Sequence, residues 1–161
     1  MEQIFLKACA KLNLFLDITG KCENGYHLIK SVMQSVDIFD RVSVKKSNEI
    51  SVKCSESALD GENNLAHKAA ALFFEQTGIC GGAEIYIEKR IPMQAGMAGG
   101  SADAAAVLRG LNAIYEANLS DEELCAMGAK LGADVPFSLC GGTMLCEGIG
   151  ERLSPLPELS D

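Results

Sequence analysis

From Leu6 to Ile18 every even position is apolar: Leu6, Ala8, Ala10, Leu12, Leu14, Leu16 and Ile18. The odd positions carry Lys7, Lys11, Asn13 and Asp17 among others. A period of two is the signature of a half-buried strand, because successive side chains leave a strand on opposite faces. The even face is expected to be core and the odd face to be available. The stretch "KCENGY" then holds an Asn-Gly pair, which turns a chain readily. Residues 28–38 and 41–44 read as further strand, with "IFD" bending between them, so the first third is expected to be a β-meander.

From Asn63 the pattern changes. "NNLAHKAAALFFEQTG" has an Asn to cap a helix, good helix formers, and Gly78 as a stop. Residues 83–88 alternate again and feed "IPMQAGMAGGSADAA". The run from Ser101 to Ala117 reads as helix, and "SDEEL" has the spacing at which Ser120 and Glu123 satisfy each other's free backbone donors. A helix follows to about Lys130, then a short helical turn with Pro136 in its first turn, then strand over residues 143–147. Strands and helices mix without regular β-α-β repetition. An α+β fold is expected, a two-layer sandwich of a mixed sheet packed against helices, with residues 1–161 forming one domain.

Composition narrows the partners. The formal charge is −8, so there is no broad basic face for a nucleic-acid backbone, and nucleic acid is not an expected partner. The seven cysteines are odd in number and scattered without a C-x-x-C, which speaks against a disulfide framework or a zinc site. No stretch is long and apolar enough for a membrane span or a signal peptide, so a cytoplasmic protein without a membrane partner is expected. Composition says nothing of the oligomeric state.

The glycines of residues 91–105 stand between a strand and a helix start. Glycines let backbone N–H groups approach an anion, and the helix presents its own free amides and positive dipole end to it. A tight turn that needs close packing would read the same way. No Lys follows the glycines as in a P-loop, and no G-x-G-x-x-G register is present.

"PMQAGMAGGSADAA" resembles the P-x-x-x-G-L-G-G-G-S-S-x-A-A nucleotide loop of the GHMP kinase superfamily. Within it, "AKLNLFLDITGKCENGYHLIKSVMQSVDIFD" and "LGADVPFSLCGGTMLCEGIGE" resemble segments of the 4-diphosphocytidyl-2-C-methyl-D-erythritol kinase family, in the same order. The resemblance implies a GHMP kinase N-terminal domain that uses ATP and Mg²⁺, with a C-terminal domain absent from this chain. The reaction it implies is phosphorylation of the 2-hydroxyl of 4-diphosphocytidyl-2-C-methyl-D-erythritol, a cytidine diphosphate methylerythritol, in non-mevalonate isoprenoid synthesis. It implies an ATP loop of Pro92, Met93, Gln94, Ala95, Gly96, Met97, Ala98, Gly99, Gly100, Ser101 and Ala102. Met97, Ala98 and Ala102 replace the loop's usual Leu, Gly and second Ser, which leaves Ser101 as the hydroxyl for phosphate or metal.

The resemblance also assigns roles elsewhere. Asp134 would accept the proton of the substrate hydroxyl and Lys11 would hold it ionised. Read alone, Asp134 is better explained as a helix cap and Lys11 as a solvated strand lysine. Asn13 shares the face of Lys11 and would meet the same substrate. Tyr26 and His27 match a cytosine-recognising pair, and Asn64 a residue near the adenine site, although Asn64 also reads as a cap. His67 receives no role. Two other readings stay open: another GHMP small-molecule kinase, acting for example on homoserine or mevalonate, and a non-catalytic nucleotide-binding module.

Overall fold

The computed structural model describes residues 1–157. Two long strands frame it, β1 (Gln3–Lys21) and β2 (His27–Ser47), paired antiparallel from Gln3 opposite Lys45 to Lys21 opposite His27. Gly25 makes the turn between them with φ 90°. Being so long, β2 takes two partners on its other edge. Its second half pairs with β4 (Gly82–Glu88) and its first half with β5 (Thr143–Gly148), both antiparallel. A short β3 (Ser51–Cys54) lies parallel to β4, and β6 (Arg152–Pro155) antiparallel to β5. The sheet is therefore mixed, as expected.

Four helices cover one face: α1 (Leu65–Thr77), α2 (Gly99–Ile114), α3 (Asp121–Ala129) and α4 (Val135–Cys140). Local chemistry sets their ends. Asn64 Oδ1 accepts the Ala66 N–H at 2.8 Å, and Gly78 closes α1 at φ 67°. Ser120 and Glu123 form both bonds of the expected capping box. The alanines of α2 let it lie close over the sheet: a Cβ added at Gly110 would stand 3.0 Å from Val44 and 3.1 Å from Leu6. Beneath the helices Val42, Val44, Ile85, Ile87, Phe73 and Leu108 form the centre of the core. A smaller cluster of Met33, Phe137 and Cys146 joins α4 to β2 and β5.

Two expectations are corrected. "IFD" does not bend the chain between two strands; β2 runs through it, with an irregularity opposite Ala10 where the register passes from Cys9–Phe39 to Lys11–Ser35. Asp40 points into the interior there and is fully buried. The same irregularity interrupts the alternation of β1. Ala10 and Lys11 are both buried, and beyond them Leu12, Leu14, Leu16 and Ile18 are 43 to 61% exposed instead of forming core. A bulge re-aims the side chains that follow it, and here it turns a lysine inward. The short strands β3 and β6 were not expected, and α2 begins at Gly99 rather than Ser101.

Candidate functional site: a glycine-loop cleft beside a buried lysine

The chain leaves β4 at Glu88 and reaches α2 at Gly99 through the glycine loop, which forms one wall of a cleft of about 820 Å³. Leu59, Asp60, Asn63 and Asn64 line it from the other side. Ligand pockets fall in the range of about 300 to 1,000 Å³. Gln94, Gly96 and Ala98 all have positive φ, at 58°, 71° and 57°. Left-handed residues placed between right-handed or extended ones make successive N–H groups converge, a concavity suited to anions. The first turn of α2 adds to this, since Ala98 stands at its N-cap and no side chain caps it.

The two glycines at the helix start do different things. A Cβ at Gly99 would stand 3.3 Å from both Ile91 and Lys89, so this glycine permits close packing under the loop. A Cβ at Gly100 would meet nothing within 4 Å, and Gly100 lines the cleft. Its missing side chain leaves room for a ligand. Ala98 has no such freedom: an alanine in the left-handed region is strained by roughly 1 kcal/mol or more. Ala98→Gly is therefore expected to keep or raise stability, by up to ~1 kcal/mol once the extra freedom of the unfolded chain is subtracted. Urea unfolding measures this, and a loss of stability would contradict the strain.

Lys11 links this loop to the far side of the site. Its backbone N–H donates to the Met97 carbonyl at 3.1 Å. Its side chain is 7% exposed, and Nζ stands 3.8 Å from Asp134 Oδ2 and 3.3 Å from Asn13 Oδ1. Asp134 occupies the N-cap position of α4 but makes no side-chain cap bond. Its carboxylate, one-third exposed, faces Lys11 instead. The Ser31 hydroxyl donates to the Phe15 carbonyl at 2.7 Å and also lies 3.3 Å from Asn13 Oδ1, close against the amide beside the lysine. A buried ammonium beside a partly exposed carboxylate can orient that carboxylate and steady nearby negative charge.

Tyr26 and His27 lie at the hairpin turn, Tyr26 61% exposed. No hydrogen bond or ion pair among the described residues joins them to Lys11 or Asp134. Ile29, two residues beyond His27, and Ala133, next to Asp134, each place an atom 3.7 Å from the point a Cβ on Gly150 would occupy. Asn64 lines the cleft while its amide is engaged, Oδ1 capping α1 and Nδ2 donating to the Leu59 carbonyl at 2.8 Å. Pro92, Met93, Gln94, Ala95, Gly96, Met97, Ala98, Gly99 and Gly100 all line the cleft. Ser101 and Ala102 follow in the first turn of α2, where Ala102 is buried.

Three charged residues at this site escaped the sequence reading. Lys89 Nζ donates to Asp40 Oδ2, and to Asp103 Oδ2 at 2.6 Å. Asp40 Oδ1 accepts the backbone N–H groups of Arg90 at 2.5 Å and Ile91 at 2.8 Å. All three side chains are more than nine-tenths buried. Burial pushes the Asp103 carboxyl up to about 7, only partly offset by Lys89, and its Oδ1 has no partner. Burial pulls Lys89 down, but the Asp103 and Asp40 carboxylates outweigh it and hold its pKa above the ordinary value. The signal in the sequence was faint: Asp103 interrupts an otherwise small and apolar stretch of α2.

Residues 64–142 match the family described as GHMP kinases N terminal domain. The 4-diphosphocytidyl-2-C-methyl-D-erythritol kinase of Clostridium botulinum (strain Eklund 17B / Type B) is 51% identical over 97% of this chain and 56% of its own length. That of Clostridium tetani (strain Massachusetts / E88) matches at the same identity and coverage. A crystal structure of 4-(cytidine 5'-diphospho)-2C-methyl-D-erythritol kinase superposes with a TM-score of 0.81 at 40% identity, covering 95% of this chain and 55% of that one. The mevalonate kinase of Methanococcus jannaschii shares the fold, with a TM-score of 0.75 at 14% identity over 96% of this chain and 56% of that one. Residues 64–142 are thus a GHMP kinase N-terminal domain. Over nearly its whole length it is homologous to the N-terminal half of 4-diphosphocytidyl-2-C-methyl-D-erythritol kinases, and it spans about half the length of the curated relatives it matches.

Proposed function

We propose that the protein binds ATP in the glycine-loop cleft and serves transfer of its γ-phosphoryl group to the 2-hydroxyl of 4-diphosphocytidyl-2-C-methyl-D-erythritol. The observation that supports this reading is the double engagement of Lys11: its backbone N–H bonds the glycine loop at Met97 and its side chain faces Asp134, which ties the loop and a proton acceptor to one residue. ATP supplies the activated phosphoryl group. Asp134 takes the proton of the attacking hydroxyl as the new oxygen–phosphorus bond forms and the bond to ADP breaks. Lys11 holds the Asp134 carboxylate in place and offsets negative charge on the transferring group. The loop amides and the start of α2 hold the phosphate chain.

Magnesium is commonly held by one or two protein groups together with substrate phosphates and water. One hydroxyl is near enough to take part in such a set: Ser101 follows the cleft-lining Gly100 in the first turn of α2. Ser101 is the residue we assign to it. Asn13, Tyr26 and His27 bind the second substrate, Asn13 beside the reacting hydroxyl and Tyr26 with His27 on the cytosine. An exposed aromatic ring beside an imidazole can stack on a base and hydrogen-bond its edge. The exposed apolar side chains of β1 from Leu12 to Ile18 are consistent with a further wall contributed by the second half that the relatives have.

Incubating the protein with ATP, magnesium and the cytidine substrate and measuring ADP tests the reading. ADP production that depends on that substrate, and not on mevalonate or homoserine, is expected. ATP binding with no turnover on any of these alcohols would favour a non-catalytic nucleotide module.

A further inference from the structure

We infer that Asp40, Lys89 and Asp103 form a clamp across the neck of the glycine loop, and that they are positioning residues for the nucleotide. The inference rests on the ATP reading above. Its geometry is independent of any ligand. The loop leaves β4 after Glu88 and enters α2 at Gly99, one helical turn before Asp103, and the Lys89–Asp103 contact of 2.6 Å ties the loop's start to the first turns of the helix. Asp40, from the adjacent strand β2, anchors the first end twice more by accepting the Arg90 and Ile91 N–H groups. The loop is thus closed at its neck by charge-assisted bonds, while its middle, residues 94–98, makes the positive-φ turns that aim the amides.

Stability alone is a poor reason for such a cluster. Replacing a buried ion pair by well-packed neutral side chains is often neutral or stabilising, because desolvation offsets much of the attraction. This cluster is worse placed than most: it has two carboxylates for one ammonium, and Asp103 Oδ1 is buried without a donor. What the charged groups provide is geometry. A displacement of about 1 Å at the neck would move every amide of the loop, and positioning losses of that size are costly to a phosphoryl-transfer site.

The test is a variant that removes all three charges while keeping side-chain size: Asp40→Asn, Lys89→Met and Asp103→Asn together. Amide hydrogen exchange over residues 90–100 is expected to speed up at least tenfold, with exchange in β4 and the second half of α2 unchanged. The dissociation constant for a fluorescent ATP analogue, and KM for ATP, should rise about tenfold, with KM for the second substrate and kcat within twofold. A general loss of structure would move all of these together. If the triple variant does not fold, Asp103→Asn alone, which keeps the Asp40–Lys89 pair, is expected to speed loop exchange and weaken the nucleotide about threefold. Loop exchange and nucleotide affinity both unchanged in a folded variant would overturn the clamp. If loop exchange speeds up but the unaltered protein does not bind ATP, the clamp on the loop stands and the nucleotide reading falls.

Discussion

Asp134→Asn is expected to cut turnover by about 10²-fold or more while leaving ATP affinity within a factor of about two, the behaviour of a lost general base. The asparagine keeps the size and the hydrogen-bonding reach of the carboxylate but cannot take up a proton near neutral pH. Helix capping does not confuse the result, because the Asp134 side chain makes no cap bond to α4. A second effect accompanies the first. Lys11, 7% exposed, has Asp134 as its carboxylate partner, and the substitution leaves its ammonium with the Asn13 amide alone. Because Asp134 is one-third exposed, solvent screens the pair, and the cost to folding should be on the order of 1 kcal/mol rather than the several kcal/mol of a fully buried pair. Single-turnover kinetics with urea unfolding separates the two effects. Unchanged turnover together with reduced stability would make the pair structural and would remove the proton acceptor from the proposed mechanism.

Much of the fold could be read from the sequence wherever a local rule was strong enough to stand alone. The Asn64 cap, the Gly78 stop and the Ser120–Glu123 capping box all appear as expected because each depends on residues within four positions of one another. The loop between strand and helix was equally visible. What was not visible depended on contacts between distant segments. Asp40 looked like part of a bend because Asp is common in turns, yet its carboxylate serves backbone groups fifty residues further along the chain. Lys11 looked like an outward strand lysine because the period of two carried no sign of the irregularity after Cys9. The phase of a strand pattern is set by its partner's register, and a shift there reassigns every later side chain. The outward face of β1 beyond Lys11 is the clearest case, since its apolar positions are real but the helical layer does not extend over them.

Gly100→Val is expected to reduce ATP affinity by about 100-fold or more without harming the fold. Valine is the better helix former of the two by a few tenths of a kcal/mol, and Gly100 sits in the first turn of α2, so secondary structure should gain slightly. The added Cβ has nothing within 4 Å outside its chain neighbours and the helix's own backbone, so the branch has open space to enter. It projects at a residue that lines the cleft, beside the amides that would receive a phosphate. A branched apolar group there would both occupy the space of the anion and desolvate the amides without offering them an acceptor, and an unpaired buried polar group costs about 1 to 3 kcal/mol. Two such groups together with the steric exclusion account for the expected loss. The neighbouring glycine gives the control. A Cβ at Gly99 would press on Ile91 and Lys89 at 3.3 Å, so Gly99→Val should lose stability by about 1 to 3 kcal/mol through overpacking and disturb the loop indirectly. The contrast between adjacent positions is what tests the site: stability kept and binding lost at residue 100, stability lost at residue 99. Isothermal titration with ATP and magnesium, run beside thermal unfolding of both variants, reads it directly. Undiminished ATP affinity in a folded Gly100→Val protein would mean that the loop is a turn and that the phosphates bind elsewhere.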